Sequence, residues 1–159
     1  MEILIRNLQR KIPIERERYL QELKKIDKLL SLKDVEVSIV FVNDKRMTEL
    51  NKRYRKVEKT TDVLSFPMFE SKKEFVRAKE ESGLIPPEED IFIGEIIINP
   101  YQVKRQAPLY GNTFWDELLR VTIHGLLHLL GYDHERNPYQ ARKMKERETV
   151  LFNAVKEMG

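Results

Sequence analysis

The stretch His124-Gly-Leu-Leu-His128-Leu-Leu-Gly131-Tyr-Asp-His134 holds every histidine of the chain within eleven residues. It constrains the fold to a helix that ends in a sharp turn. Spacing of four puts His124 and His128 on one helix face, about one turn apart. Gly131 stands where a helix commonly ends, because glycine takes the left-handed conformation that reverses the chain. That reversal swings His134 back towards the helical pair. A single histidine on an apolar helix is usually a core residue with its nitrogens satisfied. Three at this spacing, with none elsewhere, read as a metal site.

The spacing of 4 and then 6 residues, with glycine three positions after the second histidine, matches the three-ligand zinc pattern of the metzincins. Three protein ligands plus water mark a catalytic zinc, whereas structural sites are generally closed by four. The chain has no cysteine, so a structural site would need a carboxylate such as Asp133 to complete it. Zinc on His124, His128 and His134 would bring a bound water to a pKa of about 7 and neutralise a developing oxyanion. One ion per chain is expected. Nickel or another divalent ion suits three imidazoles as well, because affinity alone does not select zinc. The protease form of the motif has a glutamate base after the first histidine, and here that position is Gly125. Glycine in mid-helix costs about 1 kcal/mol relative to alanine, so it marks either space kept free or a close helix contact. Peptidase activity becomes a minor alternative.

The absence of cysteine also removes disulfides and thiolate catalysis. At 159 residues and 41% apolar, the chain can build one substantial core. No apolar run approaches the roughly 20 residues that span a bilayer, and Met1–Lys11 lacks the pattern of a signal peptide. The expectation is a cytoplasmic protein without membrane contact. Net charge is only +3, but Lys45–Lys59 carries seven basic residues against Glu49 and Glu58. Such a patch attracts a polyanion, or is simply a solvated helix face.

Periodicity divides the chain into alternating elements. Strands are expected over 2–5, 35–42, 61–66 and 91–98, the second and last being apolar and β-branched. Helical spacing covers 14–30, with Tyr19, Leu23, Ile26 and Leu30 on one face, and 44–55, with Met47, Leu50 and Tyr54. The charge-dense stretch 70–90 reads as an exposed helix and loop. A short helix follows over 100–106. Thr113 with Asp116 makes a capping box for a long helix to Leu130. Asn137 and Gln140, with Pro138 at the first helical position, open a last helix to about Glu157. One α+β domain over 1–159 is the simplest reading.

Three segments together resemble the YbeY family of bacterial metal-dependent endoribonucleases, which act in rRNA maturation and ribosome quality control. The strongest is His124–His134. The second runs from Leu50-Asn51 through Tyr54-Arg55 to Thr61-Asp62-Val63-Leu64-Ser65-Phe66-Pro67. The third is Gly94-Glu95-Ile96, where the family more often has aspartate. Met144 and Glu148 fall where the family's last helix repeats such residues. The resemblance implies a mixed four-stranded sheet packed with about five to six helices, and a zinc site at the mouth of a cleft formed by the long helix in the C-terminal half. It implies His124, His128 and His134 as zinc ligands and Arg55 as the basic residue important for activity. The candidate catalytic residues are thus His124 and Arg55. Val57-Glu58-Lys59-Thr60 departs from the family's Lys-Asp-x-Pro, so basic help to Arg55 falls to Lys56 or Lys59.

The chemistry of phosphodiester cleavage agrees with this reading. Arginine offers planar, bidentate donors to phosphate that lysine cannot mimic. Without the resemblance, Arg55 would equally be a helix-end arginine satisfying carbonyls. Asp62 and Glu95 read as structural, since carboxylates beside strands often bond backbone or orient a metal-bound histidine. The expected partners are RNA, rRNA above all, and the ribosome or its proteins, with no DNA. Two rivals stand beside the zinc endoribonuclease: a non-catalytic, zinc-containing ribosome-assembly factor, and a zinc hydrolase of another ester or amide.

Overall fold

Apolar strands that bury both faces demand helices on both sides of a sheet, and the chain supplies them in alternation. A computed structural model describes residues 1–81, 89–133 and 137–159. The elements are β1 (Glu2–Asn7), α1 (Arg16–Leu30), β2 (Val35–Phe41), α2 (Asp44–Arg55), β3 (Val63–Pro67), α3 (Lys72–Glu81), β4 (Ile91–Ile98), α4 (Pro100–Gln106), α5 (Phe114–Leu129) and α6 (Pro138–Glu157). One short 3₁₀ turn, Ala107–Tyr110, joins α4 to α5 and was not foreseen from the sequence. Among the described residues no helix is long and apolar enough to cross a membrane.

The four strands form one mixed sheet in the order β1-β2-β4-β3. β1, β2 and β4 run parallel, in register through Ile5, Ile39 and Ile96. Parallel neighbours need a long crossover, and α1 supplies it between β1 and β2. β3 runs antiparallel to β4 and occupies an edge. β3 starts at Val63, two residues after the expected 61, and ends on Pro67, one residue past the expected 66, which an edge strand tolerates although proline cannot donate to a ladder.

The two sheet faces carry separate cores. Val35, Val37, Ile39 and Phe41 of β2, with Ile91, Ile93, Ile96 and Ile98 of β4, bury against α1, α5 and α6. On the other face Val40, Ile97 and Leu64 pack with Met47 of α2. Each such side chain, fully buried, contributes about 1.5–3 kcal/mol. α5 and α2 therefore lie on opposite faces, and both reach the β3 edge.

α1 starts at Arg16 rather than at residue 14, and two caps differ in detail from the sequence reading. Asn43, one residue before the expected start, caps α2 by accepting from Arg46 N at 2.9 Å. That frees Asp44 to accept from Thr60, Asn99 and both terminal nitrogens of Arg105. Thr113 accepts from Asp116 N at 3.1 Å, half of a capping box. The Asp116 carboxylate instead takes Lys156 Nζ at 2.7 Å, because α6 ends beside it.

Candidate functional site

α5 is buried over most of its circumference, Glu117 and Thr122 included. His124 and His128 are both half-buried on one side of it, their ring centroids 4.9 Å apart. The helix ends as its glycine suggests. Gly131 takes φ +99°, donating to His128 O at 3.1 Å, while Tyr132 N donates to Leu127 O at 3.0 Å. This pair of bonds satisfies the last carbonyls. A Cβ on Gly131 would also meet Glu70 O at 2.8 Å. His134 lies outside the described residues. Among the described residues no cluster of three or more metal-ligating side chains forms.

A cleft of about 320 Å³ opens beside the two imidazoles. Its walls are His124 and His128 from α5, residues 61–65 leading into and along β3, and Arg55 from the end of α2. Arg55 and the histidines are thus brought to one cavity from opposite sheet faces, across the edge strand. Asp62 also lines it, but its oxygens are engaged. Oδ1 accepts from Val63 N at 2.8 Å and Oδ2 from Gln106 Nε2 at 2.9 Å. Glu95 is not among the cleft residues; it accepts from Ser38 Oγ at 3.0 Å and pairs with Arg6 at 3.4 Å. Both carboxylates thus hydrogen-bond protein groups.

Gly125 has a packing explanation. A Cβ there would lie 2.8 Å from Ile96 Cγ2 and 3.3 Å from Ser65 Oγ. Ser65 Oγ also donates to Gly125 O at 3.1 Å. Glycine lets α5 sit directly on β3 and β4, which presses its histidines against the cleft wall. Of the two sequence readings for Gly125, the close contact is the one seen.

A polar network behind the histidines was missed from the sequence. Glu148 of α6 is hydrogen-bonded through Oε2 to His124 Nδ1 at 2.8 Å and accepts through Oε1 from Arg120 at 3.0 Å. Arg120 also grips Glu117 with Nε at 2.8 Å and a terminal nitrogen at 2.6 Å. Gln106 then bridges Glu117 Oε2, at 2.7 Å, to Asp62. The network runs from the cleft wall at Asp62 round to His124. Burial alone pushes the Glu148 carboxyl up, but the His124 ring and the Arg120 guanidinium outweigh it and hold it below its ordinary value. In Glu117 the same contest between burial and the bonds from Arg120, Asn112 and Gln106 ends the same way. An ionised Glu148 can only accept, so Nδ1 of His124 donates to it.

That arrangement fits a metal. Metal-bound imidazoles usually donate their other N–H to a carboxylate, which fixes tautomer and ring direction. One signal of Glu148 was present in the sequence: it shares the buried stripe Met144, Leu151 and Val155 of α6, where a charge requires a partner.

Fold and cleft together define an α+β protein whose edge strand separates two helix-borne imidazoles from an arginine. A family model described as endoribonuclease YbeY matches residues 4–156. The chain is 42% identical to the endoribonuclease YbeY of Thermodesulfovibrio yellowstonii over 94% of both sequences. It is 36% identical to that of Caldicellulosiruptor bescii over 98% of both. A solution structure of a Thermotoga maritima protein superposes with a TM-score of 0.62 at 29% identity, covering 96% of this chain and 88% of that one. The chain belongs to the endoribonuclease YbeY family.

Proposed function

We propose that the cleft cleaves single-stranded RNA as a zinc-dependent endoribonuclease, acting in the cytoplasm on rRNA during maturation and quality control of the ribosome. One observation carries the reading: Arg55 lines the same cavity as His124 and His128 although it comes from the opposite sheet face. In this reading His124, His128 and, by its sequence spacing, His134 hold one zinc ion. When bound, the ion supplies a Lewis acid beside the scissile phosphate.

The chain's own residues do the rest. Arg55 donates in bidentate fashion to the phosphate and stabilises the charge gathering on its oxygens. Glu148 holds the Nδ1 proton of His124 and so aims Nε2 into the cleft, with Arg120 keeping Glu148 ionised. Ser65 and Gly125 set how closely α5 approaches the wall. Lys52, Arg53 and Lys56, grouped on the exposed side of α2, attract the RNA backbone.

The decisive experiment compares metal-loaded and chelated protein on a defined single-stranded rRNA precursor. Chelated protein is expected to stay folded and bind RNA but to stop cleaving, with zinc restoring cleavage. Undiminished cleavage without metal would overturn the proposal. Binding without cleavage under any divalent metal would establish the non-catalytic assembly factor instead.

A further inference from the structure

Tyr54, the residue before Arg55, leaves 55% of its surface in water. Its ring meets Phe66 edge-to-face, the centroids 5.0 Å apart and the planes at 66°. Phe66 is itself half-buried against the core beneath α2, so it gives Tyr54 a fixed support. Arg55 and Ser65, their chain neighbours, line the cleft, while Tyr54 and Phe66 stand on the α2 side of the edge strand. The Arg53 guanidinium lies over the Tyr54 ring, 5.7 Å from its centroid, and Lys52 and Lys56 share the flank of Arg53 with Glu49, Lys52 pairing with Glu58 at 3.4 Å. An occupant must offer a flat π-surface and carry negative charge next to it. An unpaired nucleotide does both, whereas a base within a duplex has its faces taken by its neighbours.

We infer that Tyr54, backed by Phe66, is a stacking platform for one unpaired base of the RNA strand whose phosphate lies at Arg55. The inference rests on the proposed RNA-cleaving role of the cleft and accounts for a preference for single strands. Stacking of this kind tolerates any base, because every base has a π-face.

The test uses the metal-loaded protein and unstructured RNA of about ten nucleotides, within the span one such groove covers. Binding by fluorescence anisotropy and cleavage are both read for wild type, Tyr54→Ala, Tyr54→Leu and Tyr54→Phe. Oligonucleotides with one abasic ribose walked along the strand complete the set. Tyr54→Ala and Tyr54→Leu are expected to weaken binding about tenfold or more, and Tyr54→Phe to bind like wild type. Leucine keeps the packing on Phe66, so its failure separates stacking from misfolding of α2. One abasic position should weaken wild type by the same factor and leave Tyr54→Ala unaffected. If Tyr54→Leu binds like wild type, or the abasic and Tyr54→Ala losses multiply at every position, the platform is overturned. Base-sensitive binding through Tyr54 without any cleavage would uphold the platform and overturn the catalytic reading. A wild type that neither binds nor cleaves overturns both.

Discussion

His124 Nδ1 and Glu148 Oε2 lie 2.8 Å apart, tying α5 to α6 at the edge of the cleft. The carboxylate is only 10% exposed and its second oxygen is held by Arg120. Glu148→Gln keeps the shape but removes the charge, and it can present an N–H where a lone pair is needed. Zinc affinity, measured by chelator competition, should fall about 10- to 100-fold while the helical circular dichroism is unchanged. Unchanged affinity would remove Glu148 from the site.

Arg55→Ala should lower RNA cleavage by roughly 10² or more with zinc content and melting temperature preserved, because a single stabilising donor is worth that much. Arg55→Lys should recover little, since the charge stays but the paired donors do not. Full rescue by lysine would mean that only long-range attraction mattered, and the loss would then shrink with added salt.

Gly125→Ala sets two effects against each other. Alanine gains about 1 kcal/mol of helix propensity, but its Cβ would stand 2.8 Å from a Cγ2 of Ile96, which is fully buried. Overpacking of this sort costs about 1–3 kcal/mol. A net loss of stability in chemical denaturation is expected. Gly125→Glu should fold poorly and show no casein hydrolysis, since the position faces β4 rather than open cleft. A stable Glu variant with peptidase activity would contradict the packing account.

Asp44 gives an acid limb to stability. The Arg105 guanidinium is the main cause that brings its carboxyl down to about 2, burial opposing and Asn99 and Thr60 assisting. Its folded value is thus below the unfolded one. The stabilisation is complete above about pH 4 and is lost as pH falls towards 2. Denaturation series should show wild type losing its advantage over Asp44→Asn across that window. A constant difference from pH 5 to pH 2 would mean that the ion pair does not form.

What the sequence determined alone is what neighbouring residues decide among themselves. The bounds of α2, β4 and α4 follow from local periodicity, and the caps Thr113 and Asn137 from short polar side chains reaching forward three residues. The His124–His128 pair and the reversal at Gly131 are also local, a matter of helical pitch and one left-handed residue. The cleft is not. Arg55 meets the histidines only because β3 takes the sheet edge, and strand order is set by long-range pairing that no local pattern encodes. Glu148 finds His124 across 24 positions, and Gln106 links Asp62 to Glu117 across 44 and 11. Burial decides these partnerships: each group is expensive to desolvate alone, so the folded chain must bring donor and acceptor together wherever they stand in sequence.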